Sequence, residues 1–191
     1  FPSDKYNLNG TEKSVFYLPV NEVQCITESL DKRFIAVGTS HGGYLIDKRE
    51  PLHPRRFFSP EQYPEKDINL FVNSMAFQDS RHIWIGTDGG GLYDYDLLTK
   101  KFKRYTNQDA LPSNTVYGLI KGINGNLWIS TDKGLAFMKQ GKIVNLNIFK
   151  GMEREYNRMS VACTTDGRVL FGEWNVRHLQ PQHYEYEVER H

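Results

Sequence analysis

Bulky apolar residues come along this chain in short runs, each broken by a glycine-rich turn and followed by alternating aromatic and polar positions. The clearest run is Ile83-Trp84-Ile85-Gly86-Thr87-Asp88-Gly89-Gly90-Gly91-Leu92-Tyr93-Asp94-Tyr95. It predicts a buried strand, a tight turn that glycine fits most easily, and a second strand returning beside the first. Leu127-Trp128-Ile129-Ser130-Thr131-Asp132-Lys133-Gly134-Leu135 is a second copy, Phe34-Ile35-Ala36-Val37-Gly38-Thr39-Ser40-His41-Gly42-Gly43 a third, and Val169-Leu170-Phe171-Gly172 a degenerate fourth. Gly38 and Gly86 are 48 residues apart, Gly86 and Ser130 44, and Ser130 and Gly172 42. Strand-type repeats of that period, without helical patterning, point to propeller blades of four antiparallel strands each.

The same pattern divides the chain. Residues 1–20 read as the second half of a blade, 21–70, 71–110 and 111–150 as whole blades, and 151–191 as a degenerate last blade with a tail, all within one propeller domain. Lys101-Phe102-Lys103-Arg104-Tyr105 alternates apolar with charged positions, as a half-exposed outer strand does, and Asn124-Gly125 signals a hairpin turn. Pro51, Pro54, Pro60 and Pro64 make the passage between them poor strand material, so a long rim loop is expected there. After Gly172 the repeat breaks, with Glu173-Trp174-Asn175 where Thr-x-x-Gly stands elsewhere, and a tail is expected beyond Asn175. About four blades are thus present, and closed propellers have about four to eight. Closure with four would need residues 1–20 to complete the fourth blade, with the segment after Asn175 left as the tail; a partial propeller is the expectation.

Composition narrows the partners. With 24 basic and 23 acidic side chains the net charge is +1, which offers no electrostatic grip on nucleic acid or an anionic membrane. No apolar run approaches the length of a membrane span. Cys25 and Cys163 each lie in an apolar run and read as core residues, since two cysteines make no disulfide framework. Six histidines are scattered without ligand spacing, so neither metal nor cofactor is expected. Only a meeting of His41 with His178 or Glu173 across distant loops would make a metal site.

The stretch Leu111-Pro112-Ser113-Asn114-x-Val116, followed by Asn124-Gly125-Asn126-Leu127-Trp128-Ile129-Ser130-Thr131-Asp132-x-Gly134-Leu135, resembles the two-component-regulator propeller repeat. The resemblance recurs at Asn73 with Trp84 to Tyr93, and at Asn21 with Val37-Gly38-Thr39, covering roughly residues 21 to 172. That family forms the periplasmic sensor region of bacterial hybrid histidine kinases. Membership implies a ligand-sensing segment whose kinase and membrane attachment belong to a longer receptor, with neighbouring propellers or same-chain domains as partners and a homodimer as a further one. The segment itself would be no enzyme.

In a propeller, the entries to the innermost strands and the turns between second and third strands share one rim. That places His41, Asn73, Asp88, Asn114, Asp132, Lys133, Asn157, Arg158 and Trp174 around one site. Polar side chains with an aromatic platform suit an oligosaccharide, which offers hydroxyls and an apolar face. Asn73, Asn114 and Asn157 recur, and a side chain repeated in every blade more often bonds its own turn. The ligand candidates are therefore His41, Asp88, Asp132, Lys133, Arg158 and Trp174. Asp88, Asp94 and Asp96 form an acidic cluster that reads as turn capping and a solvated strand. Gly38-Thr39-Ser40-His41-Gly42 matches the G-x-S-x-G spacing of a nucleophile elbow, but that elbow needs a helix after the serine. Two other functions compete with the sensor. One is a propeller lyase using His41 or His178 as base; the other is a scaffold that binds proteins through the Pro51 to Pro64 loop.

Overall fold

Branched and aromatic residues favour the pleated backbone, and the described strands are built largely from them. The computed structural model describes residues 22–51, 53–59, 70–148, 156–175 and 180–186. The first sheet holds β1 (Val23–Glu28), β2 (Phe34–Thr39), β3 (Gly42–Asp47) and β4 (Arg55–Phe58). The second holds β5 (Val72–Phe77), β6 (His82–Thr87), β7 (Leu92–Asp96) and β8 (Lys101–Tyr105). The third holds β9 (Val116–Lys121), β10 (Leu127–Thr131), β11 (Gly134–Lys139) and β12 (Lys142–Asn145). The fourth holds β13 (Tyr156–Cys163), β14 (Val169–Asn175) and β15 (Gln180–Tyr186). Each sheet is an antiparallel meander in chain order. Between β8 and β9 a 3-10 turn, Asn107–Asp109, is closed at its N-terminal end by a capping box, in which the Thr106 hydroxyl accepts from the Gln108 amide and the Asp109 carboxylate accepts from the Thr106 amide.

The sheets stand face to face in an arc. β1 packs beside β5, β5 beside β9 and β9 beside β13, and the long bulge of β13 also brings it to β5. This is a partial β-propeller with the first strand of each sheet innermost. Two apolar interiors fill the gaps around the second sheet. Toward the first sheet, Met75, Phe77, Ile83, Ile85, Tyr93 and Tyr95 meet Ala36, Leu45, Phe57 and Phe58. Toward the third, Ala76, Trp84, Leu92 and Tyr105 meet Leu119, Leu127, Ile129 and Met138. Because both faces are covered, β5 is buried at every position and β6 at all but His82, as expected of a sheet packed on both sides. Cys25 packs in the first of these interiors, where burial pushes its thiol up to about 12. Cys163 packs against the interior between the third and fourth sheets, and both thiols are free.

Two local expectations need correction. Arg55–Phe58, inside the proline-rich passage, is a strand. Pro54 sits just outside it, where its missing N–H costs no ladder bond. Phe57 and Phe58 are buried against aromatic partners, with ring centroids 4.8 Å from Tyr95 and 5.1 Å from Tyr93. The repeat break at Glu173 is also not a break in the sheet. β14 runs on to Asn175 and pairs with β15 from Val169↔Tyr186 to Asn175↔Gln180. Backbone pairing does not require the Thr-x-x-Gly residues, so part of the expected tail is strand. Residues 1–20 lie outside the described residues.

Candidate functional site

The rim formed by the β2–β3, β6–β7 and β10–β11 turns is built from one device used three times. Thr39, Thr87 and Thr131 end the second strands and are fully buried. Each hydroxyl donates to the carbonyl of the turn glycine, Gly42, Gly91 or Gly134, at 2.8 Å. Thr39 and Thr131 also accept from the amides of His41 and Lys133, at 3.1 Å in both cases. Gly91 is required twice over. Its φ is 91°, and a Cβ there would lie 2.3 Å from the Tyr105 carbonyl oxygen, closer than any side chain tolerates. The residue after each threonine is pinned to the innermost strand's entry. Ser40 donates its amide to Glu22, Asp88 to Phe71 and Asp132 to Thr115, at 3.2, 2.9 and 3.3 Å.

A second repeated contact went unseen in the sequence. Arg56 of β4 donates to the His41 carbonyl, Arg104 of β8 to the Gly90 carbonyl at 2.8 Å, and Asn147 after β12 to the Lys133 carbonyl at 2.6 Å. Each clamp holds the carbonyl just before the turn glycine. Its only sequence signal is a polar side chain about 14 or 15 residues downstream, and the chemistry differs between copies.

With their backbones held, the turns present side chains outward. His41 and Lys133 are exposed, and Asp88 and Asp132 are half-buried. Ser40 Oγ lies 2.7 Å from His41 Nδ1. The serine sits in a strand-to-strand turn, without the helix a nucleophile elbow needs. One carboxylate oxygen of Asp132 is buried with no hydrogen-bond partner, a state that costs free energy until something bonds it. The structure describes the backbone at Arg158 and Trp174 but not their side chains, and His178 lies outside the described residues. Among the described residues no three metal-ligating side chains come together.

The asparagines are not equivalent. Val72 faces Thr87 and Val116 faces Thr131, so Asn73 is the extra residue of a β-bulge, whereas Asn114 precedes β9 by two. Backbone register puts Asn157 just after Tyr156, which faces Glu173, and so at the Asn73 position. The buried Asn73 amide donates to the Val116 carbonyl of the next blade at 3.0 Å. Asn114 instead accepts from the Asn107 amide at 2.8 Å. Both serve the backbone. The acidic cluster also separates. Asp88 stands on the turn rim, Asp94 bonds His82 at 2.9 Å, and Asp96 at the far end of β7 binds Arg81.

At that opposite rim the charges pair with each other. Arg81 donates through both Nε and Nη2 to Asp96, which also accepts from the Leu98 and Thr99 amides and the Thr99 hydroxyl. The Arg81 guanidinium, foremost, holds the Asp96 carboxyl well below the usual carboxylate range. Arg33 and Asp47 make the same pair in the first sheet, at 2.7 Å. A cavity of about 330 Å³ opens there, lined by Phe34, Leu45, Leu97, Glu50, His53 and Arg55, beside the Arg33–Asp47 pair.

Comparison with known proteins agrees with this geometry. Residues 110–133 match the two component regulator propeller family. No curated protein matches the chain significantly. Among solved structures, the extracellular domain of a protein described as a hybrid two component system of B. thetaiotaomicron superposes with a TM-score of 0.67 at 23% identity, over 82% of this chain and 20% of that one. A second extracellular domain from B. thetaiotaomicron, described as belonging to a one component system, gives 0.60 at 21% identity, over 94% and 24%. An auxiliary nutrient binding protein of Bacteroides thetaiotaomicron gives 0.57 at 10% identity, over 86% and 41%. The chain spans about a fifth to a quarter of the length of the first two. At these identities the likeness establishes the fold alone. The match runs from ahead of β9 to the β10–β11 turn, so that stretch of the third sheet is similar to the two component regulator propeller repeat.

Proposed function

We propose that this chain is a ligand-sensing segment of an extracytoplasmic propeller, periplasmic in setting, which responds to an oligosaccharide and passes the signal to a histidine kinase in a longer receptor. One observation carries the reading: a two component regulator propeller repeat holds at its rim a buried, unpartnered carboxylate oxygen of Asp132 beside the exposed Lys133. Sugar hydroxyls donate hydrogen bonds that such an oxygen lacks, and a lysine ammonium donates to sugar oxygens. His41 and Asp88 extend the same polar rim, and Arg158 and Trp174 are assigned to it from their place in the repeat. The likeness of the fold to an auxiliary nutrient binding protein is in keeping with this. Signalling requires that the ligand favour one of two arrangements of blades or neighbouring domains, because a ligand shifts an equilibrium only by its differential affinity.

The test is a thermal melt against plant, host and microbial oligosaccharides, with mass spectrometry of each sugar afterwards. A ligand of the folded state at a hundred times its Kd adds about 2.7 kcal/mol of stability. A raised midpoint with intact sugar, lost in Asp132→Ala, supports the sensor. A cleaved sugar replaces it with an enzyme, to which the Ser40–His41 hydrogen bond would be the first lead.

A further inference from the structure

The cavity of about 330 Å³ beside the Arg33–Asp47 pair lies inside the arc, between the first sheet and the turn after β7. Its floor is apolar. Leu45 belongs to the interior shared by the first and second sheets, and Phe34 and Leu97 pack against that interior from the rim. Register sets this floor apart from the next sheet. Phe34↔Asp47 matches His82↔Asp96, Ala36↔Leu45 matches Trp84↔Asp94, and Leu45↔Arg55 matches Asp94↔Lys103. In the second sheet His82 and Asp94 bond each other at 2.9 Å, and Lys103 lies over the Tyr105 ring. In the first sheet the same three places hold Phe34, Leu45 and Arg55, so apolar surface replaces the polar pair and the cation has no carboxylate opposite it.

The charges around this floor are of both signs. Arg33 is spent on Asp47 and lies over the Phe34 ring, 4.6 Å from its centroid. Arg55, Glu50 and His53 are exposed, and among the described residues their side chains make no hydrogen bond or ion pair. An unpaired guanidinium, an unpaired carboxylate and an apolar floor thus line one space, whose size falls at the lower end of the roughly 300–1,000 Å³ of small-molecule pockets. The next junction is closed differently. There Gln78 donates to the Gly125 carbonyl at 3.2 Å and accepts from Trp84 Nε1 at 3.2 Å, while its own carbonyl accepts from Lys121 Nζ, so the far rim is bridged between the second and third sheets. Ser29 stands at the place of Gln78 in the first sheet, and its shorter side chain stays within its own turn, on Asp31 and the Phe34 amide.

We propose that this cavity binds a free α-amino acid with an apolar side chain. The carboxylate of the amino acid meets Arg55, whose planar fork suits two carboxylate oxygens. Its ammonium meets Glu50, and its side chain lies on Phe34, Leu45 and Leu97. The His53 ring adds a donor for the carboxylate. Because Leu97 belongs to the second sheet and the other lining residues to the first, the occupant touches both sheets. The site is separate from the turn rim and rests neither on Asp132 nor on an oligosaccharide.

Isothermal titration calorimetry of the chain with L-leucine and L-phenylalanine tests it. Saturable binding of at least one is expected. Isocaproate and hydrocinnamate lack the ammonium, isoamylamine and phenethylamine lack the carboxylate, and each should bind about tenfold or more weakly than its parent amino acid. Arg55→Gln and Glu50→Gln should each weaken binding by about as much, while Asp132→Ala leaves it unchanged. Both replaced side chains are exposed, and an unchanged melting midpoint without ligand confirms that the variants fold. The analogues need no variant, so a poorly folding one leaves the test intact. No binding of either amino acid overturns the proposal. So does an analogue that binds as tightly as its parent, which would make the cavity a site for simple anions or amines, and so does binding that survives both substitutions or is lost in Asp132→Ala.

Discussion

The two rims of this propeller solve the same problem in opposite ways. At the far rim, side chains bond side chains: Arg33 holds Asp47, Arg81 holds Asp96, and Asp96 caps the turn that follows it. At the turn rim, backbone carbonyls are satisfied from within by the buried threonines, and from the side by Arg56, Arg104 and Asn147. The turn backbone is therefore held without the Lys133 ammonium. At the far rim the Arg33, Asp47, Arg81 and Asp96 charges are spent on one another, whereas the turn rim, held by its backbone, leaves one Asp132 carboxylate oxygen without a hydrogen bond beside the exposed Lys133. Exposure alone would not have separated the two.

The sharpest way to break the turn rim is Gly91→Ala. Its φ of 91° and the 2.3 Å approach to Tyr105 O should cost about 3 kcal/mol or more, read as a lower urea midpoint at unchanged slope. A loss under about 1 kcal/mol would mean the turn rebuilds. Thr87→Val removes a buried hydroxyl bond while keeping its shape, and about 1–2 kcal/mol should go. Thr131→Val in the third blade should lose a similar amount, which tests whether the device is one repeated part.

The far rim answers in acid. The Asp96 carboxyl is held low in the folded state, first by Arg81, so its contribution is present above the unfolded carboxylate value near ~3.9 and is lost as pH falls below it. Asp47, held low mainly by Arg33, acts in the same direction. Urea midpoints compared at pH 7 and pH 3 should fall less in Asp96→Asn than in the parent, and equal falls would remove the latch from the account. The smallest stability effects belong to the exposed turn side chains. His41→Ala and Lys133→Ala should each change stability by under about 0.5 kcal/mol, yet alter the response to any sugar that raises the midpoint. A large stability loss in either would mark it as part of the scaffold.

Much of this was legible from residue pattern. β6, β7, β8 and β10 lie where the apolar runs and alternation placed them, because strand periodicity is a local property written two residues at a time. β4 was not, since prolines around Phe57 and Phe58 outweighed two aromatics whose value comes from Tyr93, Tyr95 and Phe102 in the next sheet. Asn73 and Asn114 looked alike because sequence spacing does not show a bulge. One extra residue turns the first into a clamp on the neighbouring blade, and the second into a brace for a 3-10 turn. The six candidate site residues were chosen by topology, and four of them fall in turns or strands whose side chains are described.

The sequence by itself determined the repeat, the four-stranded blade and the Thr-x-x-Gly turn, since each depends on residues within a few positions of one another. Only the tertiary structure decided which polar side chains are spent and which are free. Arg56 and Arg104 look as available as Lys133 until the fourth strand lies beside the turn, and Val23 looks as buried as Val72 until the neighbouring sheet is found on one and, among the described residues, not the other. Burial and pairing are set by what arrives from a distant part of the chain, and no local pattern records that arrival.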